Sequence, residues 1–319
     1  MIFMLGSGEY VPERVVDNGY FAALTGKSPE WFTQRTGISQ RRRAQPNEDL
    51  NSMALAAVQS LANRSPAALE GVDLIVGASY TPVDTIGTLA HVIQRRFDLR
   101  NSKALYLSTA CSSFVDALEL AAAYCETGRA TKALIVAAEH NSAHARDEDI
   151  TSGHLWGDGA AAVTVGIDSA RAEFKVIDVT TRGLAHEGHG PDAISLSTRT
   201  RALTMPHGRE VFERACEQMA NAVRVLLAAN DLSLDDVALV VPHQANKRII
   251  DHVARQLGLP PERMGLTIGS LGNTGCASVA ITLHRYTSRV RPGAHVVLVT
   301  FGGGYSVGAA LLRRMGEHA

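Results

Sequence analysis

The sequence predicts an α/β protein in which one unit of helices and buried strands occurs twice. Three observations predict it. Strand-length, uniformly apolar runs alternate with helical patterns along the chain. The two halves repeat one order of elements. The composition, 45% hydrophobic and 5% aromatic with 28 glycines among 319 residues, is that of a close-packed globular protein rather than a disordered or fibrous one. An ordinary doubly wound sheet whose halves merely look alike is the competing arrangement.

The opening stretch MIFMLGSGEY reads as a strand that meets a turn after Leu5. It has no basic leader, and no apolar run approaches the roughly 18 residues of a membrane span. Neither a signal peptide nor a membrane is expected, and the expected compartment is the cytoplasm. A helix then follows over SMALAAVQSLANR (52–64), and the acidic link AALEGVD leads to the strand VDLIVGAS (72–79). Next come the helix TLAHVIQRRFD (88–98), the strand KALYLSTA (103–110) and the helix VDALELAAAYCETG (115–128), with Gly128 as its stop. The strand KALIVAAE (132–139) and a glycine-rich turn into AAAVTVGI (160–167) complete the first unit. The second runs in parallel: helix VFERACEQMANAVRVLLAAND (211–231), link LSLDD, strand DVALVVPH (236–243), a helix, the segment MGLTIGSLGNTGC, another helix, strand AHVVLVTF (294–301) and the glycine-rich turn GGGYSVGAALL. Cys111 and Cys276 occupy equivalent places. Such unbroken apolar runs suggest strands buried on both faces.

A net charge of −1 gives no pull towards nucleic acid or membrane. The four cysteines, Cys111, Cys125, Cys216 and Cys276, lack paired spacing, so a disulfide framework is not expected and a reducing compartment is.

Four places could carry chemistry. Cys111, in STACSSF (108–114), sits where a buried strand turns into a helix. If Ser112 or Ser113 starts that helix, its positive end lowers the thiol pKa; a buried, inert cysteine is the plain alternative. His243 ends a buried strand, where sites gather in α/β sheets, and could exchange a proton or donate to a carbonyl; a satisfied structural histidine is the alternative. Asn273, in GSLGNTGCASVAI (269–281), could donate to an oxyanion or merely cap a turn. FGGGYSVG (301–308) could aim backbone N–H groups at a developing negative charge, and it lacks the spacing and lysine of a phosphate loop. Gly6-Ser7-Gly8 is too short for a dinucleotide fingerprint. AHEGHGPD (185–192) is not HExxH, which argues against a metal.

Taken together, EWFTQRTGI (30–38), TACSSF (109–114), WGDGAAA (156–162), GREVFERA (208–215), VPHQANKRII (241–250), GNTGCAS (272–278) and FGGGYSVGAAL (301–311) resemble, in order, the blocks of the β-ketoacyl-acyl carrier protein synthase III family of the thiolase superfamily. The resemblance spans essentially the whole chain. It implies a thiolase-like fold of five layers, α-β-α-β-α, usually as a homodimer. The halves are placed at 1–168, carrying the cysteine, and 169–319, carrying the histidine and asparagine. It implies a triad of Cys111, His243 and Asn273. Cys111 would take an acyl group from a thioester, with the N–H groups of Cys111 and Gly304 as oxyanion hole. His243 and Asn273 would then stabilise the enolate formed as a malonyl thioester loses carbon dioxide. Coenzyme A or acyl carrier protein thioesters are the implied substrates, with no metal or redox cofactor. Trp31 and Arg35 match positions that contact the donor's nucleotide or pantetheine; a half-buried anchor and a surface cation are the plain alternatives. Phe212 and Asn246 match the entry tunnel. Lys247, Arg248 and Arg255 resemble a patch for acidic carrier protein; a solvated helix face is the alternative.

Some blocks depart from the housekeeping pattern. The serines of TACSSF hint at a specialised acyl pocket. DEDITSGHLWGDG carries Ile150, not arginine, where family members grip the adenine of coenzyme A, although Arg146 is close. Ile86 and Gly87, in TPVDTIGT (81–88), replace a segment that often closes the acyl pocket with phenylalanine, so a longer or branched acyl group and a role in secondary metabolism are expected. Two alternatives remain: an acyltransferase without decarboxylation, serving an alcohol, amine or β-ketoacyl acceptor, and a non-catalytic partner subunit.

Overall fold

A computed structural model describes residues 1–197 and 199–316. In order, its elements are β1 (Ile2–Tyr10), β2 (Arg14–Asp17), α1 (Asn18–Thr25), α2 (Pro29–Thr36), β3 (Gln40–Arg43), α3 (Leu50–Arg64), β4 (Leu74–Ala78), α4 (Leu89–Arg96), β5 (Lys103–Leu107), α5 (Ser113–Glu126), β6 (Lys132–Glu139) and β7 (Gly159–Gly166). The second half continues with β8 (Phe174–Gly183), β9 (Ser195–Leu196), β10 (Leu203–Thr204), α6 (Gly208–Ala229), β11 (Val237–Pro242), α7 (Lys247–Leu257), α8 (Ile268–Leu271), α9 (Ala277–Tyr286), β12 (His295–Gly302) and β13 (Ser306–Arg314).

The unbroken apolar runs follow from a strand's two-residue period, because both sheet faces are covered. Leu74, Val76 and Ala78 of β4 and Ala133, Ile135 and Ala137 of β6 point into a central core shared with α5 and α9. Their alternates Ile75, Leu134, Val136 and Ala138 pack against α3 and α4. In the second half, Val296, Leu298, Ala310 and Leu312 enter the same central core, while Val297, Val299, Ala309 and Leu311 face α6 and α7. The layers are therefore α3/α4, sheet, α5/α9, sheet and α6/α7, a thiolase-like α-β-α-β-α arrangement. Each fully buried Val, Leu or Phe contributes about 1.5–3 kcal/mol, so the central layer is a main source of stability.

The strands hydrogen-bond in the order β11-β12-β13-β8-β1-β7-β6-β4-β5. In that strand order the two halves meet where β1 pairs with β8, at Ile2↔Val176, Phe3↔Lys175 and Met4↔Phe174. The duplication is visible in β4, β6, β7 and β1 against β11, β12, β13 and β8. It is incomplete at β5: the corresponding segment 264–276 keeps only an isolated bridge, Val240↔Met264. The expected division at 168 lies in the connection between β7 and β8, and residues 317–319 lie outside the described residues.

Three expectations change. The opening strand meets no turn after Leu5, since β1 continues to Tyr10 paired with β7. The run 103–110 is not buried on both faces: β5 pairs only with β4, and its side chains are partly exposed because it is an edge. The glycine-rich tail 302–312 is a turn only over residues 303–305; from Ser306 it is β13, paired with β12 from Ser306 to Arg313.

α3 lies so close to β1 that a Cβ on Gly8 would stand 2.3 Å from the Leu61 nitrogen and 2.7 Å from the Ala57 oxygen. Backbone atoms cannot swing aside, so Gly8→Ala is expected to destabilise the protein by on the order of 1–3 kcal/mol, read as a lower midpoint in urea unfolding.

Candidate active site

The turn into α5 is built by the serines of STACSSF. Ala110 adopts φ 53°, a left-handed conformation that reverses the chain before the helix. Ser113 Oγ accepts from the Thr109 N–H at 2.9 Å and donates to the Ala110 carbonyl at 2.6 Å. Ser112 Oγ donates to the Ser306 carbonyl at 3.0 Å, and Ser306 Oγ donates to the Thr109 carbonyl at 3.1 Å. Both serines are fully buried. Ser112 pins the nucleophile turn against the glycine hairpin and Ser113 closes the turn on itself; neither lines the cavity, contrary to the sequence expectation. A Cβ on Gly302 would lie 2.5 Å from the Thr109 oxygen, so the hairpin seats itself only with glycine there.

His243 follows β11, and its backbone N–H donates to the Val299 carbonyl at 2.8 Å. Its Nδ1 lies 2.8 Å from Ser278 Oγ on α9. Asn273 is held by its own N–H to the Leu155 carbonyl at 2.8 Å and by its carbonyl to the Gly157 N–H at 3.0 Å. Its Oδ1 accepts from the Gly275 N–H at 2.9 Å, which leaves the Nδ2 amide to serve as a donor. Cys111, His243 and Asn273 are 7%, 3% and 3% exposed and line one cavity of about 890 Å³. Trp31, Arg35, Phe212 and Asn246 line it too.

The electrostatics differ from the sequence expectation. Burial pushes the Cys111 thiol up to about 12, with the Glu139 carboxylate adding to the rise. The Gly303 N–H, the Tyr80 hydroxyl and the N–H of Cys111 oppose that rise but do not cancel it. The start of α5 therefore does not leave a resting thiolate. Burial also pushes His243 down to about 4, so the pair rests as thiol and neutral imidazole. Glu139 is itself pushed up to about 7 by burial, against donation from Cys276, Thr81 and Ser79 and from the Tyr80 N–H. The hairpin N–H that acts on the sulfur is that of Gly303, one residue before the expected Gly304.

The remaining candidates divide. The Trp31 ring carries Arg35 at 4.7 Å, and Asn246 caps α7 through Oδ1 while its Nδ2 donates to the Arg35 carbonyl at 3.3 Å. Arg248 reaches the cavity and lies 5.9 Å from the Phe212 ring. Lys247 is paired with Asp251 at 2.7 Å and Arg255 is exposed; neither lines the cavity. Ile150 lines the cavity wall at the position discussed above, and Arg146 does not. Ile86 is 87% exposed and away from the cavity, so it gives an acyl group no extra room within its own chain. Sequence reasoning missed Tyr80, Glu139 and Ser278. A carboxylate closing an apolar strand was the available signal for Glu139.

The family model for 3-oxoacyl-[acyl-carrier-protein (ACP)] synthase III matches residues 106–183, and the model for the C-terminal part of that synthase matches residues 227–314. The β-ketoacyl-[acyl-carrier-protein] synthase III of Paramagnetospirillum magneticum is 34% identical over 317 residues, covering 97% of this chain and 98% of its own. The chain belongs to the β-ketoacyl-acyl carrier protein synthase III family. Its fold agrees with the 3-oxoacyl-[acyl-carrier-protein] synthase III of Aquifex aeolicus at a TM-score of 0.91 and 32% identity, over 98% of this chain and 100% of that one. The priming β-ketosynthase of the R1128 polyketide biosynthetic pathway matches at 0.90 and 30%, over 99% and 97%. As a member of the synthase III family, the protein is an enzyme, an acyltransferase of the condensing type. None of the helices among the described residues is long and apolar enough to cross a membrane.

Because the ionised Glu139 carboxylate opposes a thiolate on Cys111, Glu139→Gln is expected to move the pH midpoint of Cys111 alkylation by iodoacetamide downwards by on the order of one unit. Mass spectrometry across a pH series reads it; an unchanged profile means that the carboxylate does not act on the thiol.

Proposed function

We propose that the enzyme loads an acyl group on Cys111 and then extends it by decarboxylative condensation with a malonyl thioester carried by acyl carrier protein. The observation that carries this reading is the meeting of a buried thiol, a neutral imidazole and a free amide donor in one cavity. In the first step the Cys111 sulfur attacks the acyl thioester carbonyl, and the carrier thiol leaves with the proton that Cys111 loses. The N–H groups of Cys111 and Gly303 would serve as the oxyanion hole.

In the second step the malonyl thioester carbonyl accepts from Asn273 Nδ2 and from His243. With the Ser278 hydroxyl, 2.8 Å away, donating to His243 Nδ1, the ring proton would sit on Nε2 and serve as a donor. The bond to the carboxylate breaks, carbon dioxide leaves, and its electron pair becomes the enolate held by the two donors. The enolate carbon attacks the acyl-Cys111 carbonyl, and the sulfur departs from the tetrahedral intermediate as a thiolate that takes up a proton from solvent to restore the thiol. The reaction needs no metal or redox cofactor. The halves 1–168 and 169–319 thus contribute the nucleophile and the two donors respectively.

Trp31, Arg35, Phe212 and Asn246 would guide the thioester arm of coenzyme A or carrier protein, with Arg248 at the mouth and Lys247 and Arg255 beyond it. A cytoplasmic homodimer fits the edge position of β5 and the exposed Val83 and Ile86 loop, 56% and 87% accessible.

Cys111→Ala is expected to abolish the acyl adduct seen by intact-protein mass spectrometry. Asn273→Ala is expected to keep the adduct yet slow carbon dioxide release from malonyl carrier protein by about 10²–10³-fold. Equal loss of both steps in Asn273→Ala would contradict the division of labour.

A further inference from the structure

The histidines and glutamate of AHEGHGPD, which the reaction above does not use, belong to a strap over the active-site cavity. Its two arms, 184–197 and 199–207, lie between β8 and α6 and pair as β9 with β10, at Leu203↔Leu196 and Thr204↔Ser195. Ile194, Leu196, Leu203 and Met205 of the strap line the cavity. The arms are clasped where the His189 and His207 rings stack, with centroids 3.5 Å apart and planes at 13°. One carboxylate ties this strap to the glycine hairpin. Glu210 lies in the first turn of α6, where the positive end of the helix favours a negative charge. Its Oε1 accepts from the His189 backbone N–H at 2.8 Å and from the Tyr305 hydroxyl at 2.7 Å, and its Oε2 accepts from His189 Nδ1 at 2.6 Å. The two donors of His189, and then the Tyr305 hydroxyl, hold the carboxyl down to about 2, so it is ionised at neutral pH. A Cβ on Gly188 would stand 1.8 Å from Glu210 Oε1, so a side chain there would push the carboxylate off its donors.

Tyr305 is the hairpin's end of the tie. It is buried and takes φ 63°, a left-handed conformation that a tyrosine keeps only where its surroundings enforce it. The hydroxyl bond to Glu210 holds the tip of its ring, and the Leu184 N–H of the strap donates to its carbonyl at 2.7 Å. Its own N–H donates to the Gly302 carbonyl at 3.1 Å and so closes the turn that contains Gly303. A Cβ on Gly303 would stand 3.0 Å from that of Ile194, so the strap packs directly on the glycine whose N–H acts on Cys111.

We propose that Glu210 is a positioning residue for thioester cleavage: through Tyr305 it fixes the Gly303 N–H at Cys111, and through His189 it holds the strap down on the same hairpin. This rests on the reading that Cys111 carries the acyl group. Glu210 touches neither the sulfur nor the thioester and acts through Tyr305. The turn between Gly302 and Ser306 has glycines at 303 and 304, which restrain the backbone weakly, so the tie at Tyr305 sets where the Gly303 N–H points. An oxyanion donor is effective only when it is already in place as the charge develops, and a misplacement of roughly 1 Å slows a reaction by about a hundredfold.

The experiment compares two rates at Cys111, measured at one pH by intact-protein mass spectrometry. Loading from an acyl thioester needs the oxyanion hole, whereas alkylation by iodoacetamide does not. The thioester is whichever of acetyl, isovaleryl and hexanoyl coenzyme A, or their carrier-protein counterparts, loads the unsubstituted protein fastest. The ratio of loading to alkylation cancels any change in the thiolate fraction. Tyr305→Phe removes only the hydroxyl and is expected to lower this ratio about tenfold, in the maximal loading rate rather than in the half-saturating thioester concentration. Glu210→Ala is expected to lower it at least as far, and Glu210→Gln, which keeps an oxygen for Tyr305 to donate to, is expected to restore most of it. Far-ultraviolet circular dichroism selects the variants that are folded. An unchanged ratio in Tyr305→Phe, or in Glu210→Ala should Tyr305→Phe not fold, overturns the proposal, because a tie that serves packing alone changes both rates together or neither. A Gln variant no better than the Ala variant overturns it as well. If the unsubstituted protein is alkylated yet takes an acyl group from none of the thioesters, the acylation of Cys111 itself fails, and the proposal with it.

Discussion

The nucleophile turn and the glycine hairpin hold each other in place. Ser112 and Ser306 exchange hydrogen bonds with each other's segments across nearly two hundred residues of chain, and Gly302 lets the two backbones touch. Through that contact the start of α5, in the first half, is registered against the end of β12, in the second. The Gly303 N–H points at a sulfur that comes from the other half because of it. The central layer reinforces the alignment, since α5 and α9 are buried between both sheets and cannot shift without opening the core on either side.

A site assembled at the middle of five layers is dry, and its resting protonation states follow from that. Burial raises the thiol and lowers the imidazole, so neither charge is present before substrate arrives. An ion pair would have to be desolvated along with every incoming thioester. A neutral pair with fixed donors instead meets charge only as it develops, and donors that need no reorientation are then most effective. The fixed state of Asn273 illustrates this: its carbonyl oxygen is occupied by the Gly275 N–H, so its amide has one available orientation.

Gly275 has a double part. Its N–H orients Asn273, and its missing side chain admits Tyr80 to the wall beside Cys111. Asn141 links the same two residues, accepting from Tyr80 and donating to the Asn273 carbonyl. Tyr80 and Asn273 therefore share one hydrogen-bonded frame. Cys276, the counterpart of Cys111 in the repeat, lies behind that frame with its thiol on the Ala78 carbonyl and Glu139, where it has a structural place.

Much of the fold was legible in the sequence because its signal is local. β4, β6, β7, β11 and β12 lie within two residues of the apolar runs that announce them, since strands covered on both faces must be apolar throughout. β8 and β13 were less visible: the first mixes polar and apolar residues, and the second begins inside a glycine-rich stretch. The residues Cys111, His243 and Asn273 could be named from ordered motifs, and their convergence on one cavity required the fold. What only tertiary structure decided was environment. That the thiol is raised rather than lowered, that Gly303 and not Gly304 faces it, that Ile86 is exposed and that Tyr80 stands at the sulfur all depend on contacts between residues far apart in the chain. A sequence lists side chains in order, whereas desolvation, charge proximity and steric closure are set by which distant side chains packing brings within a few ångströms.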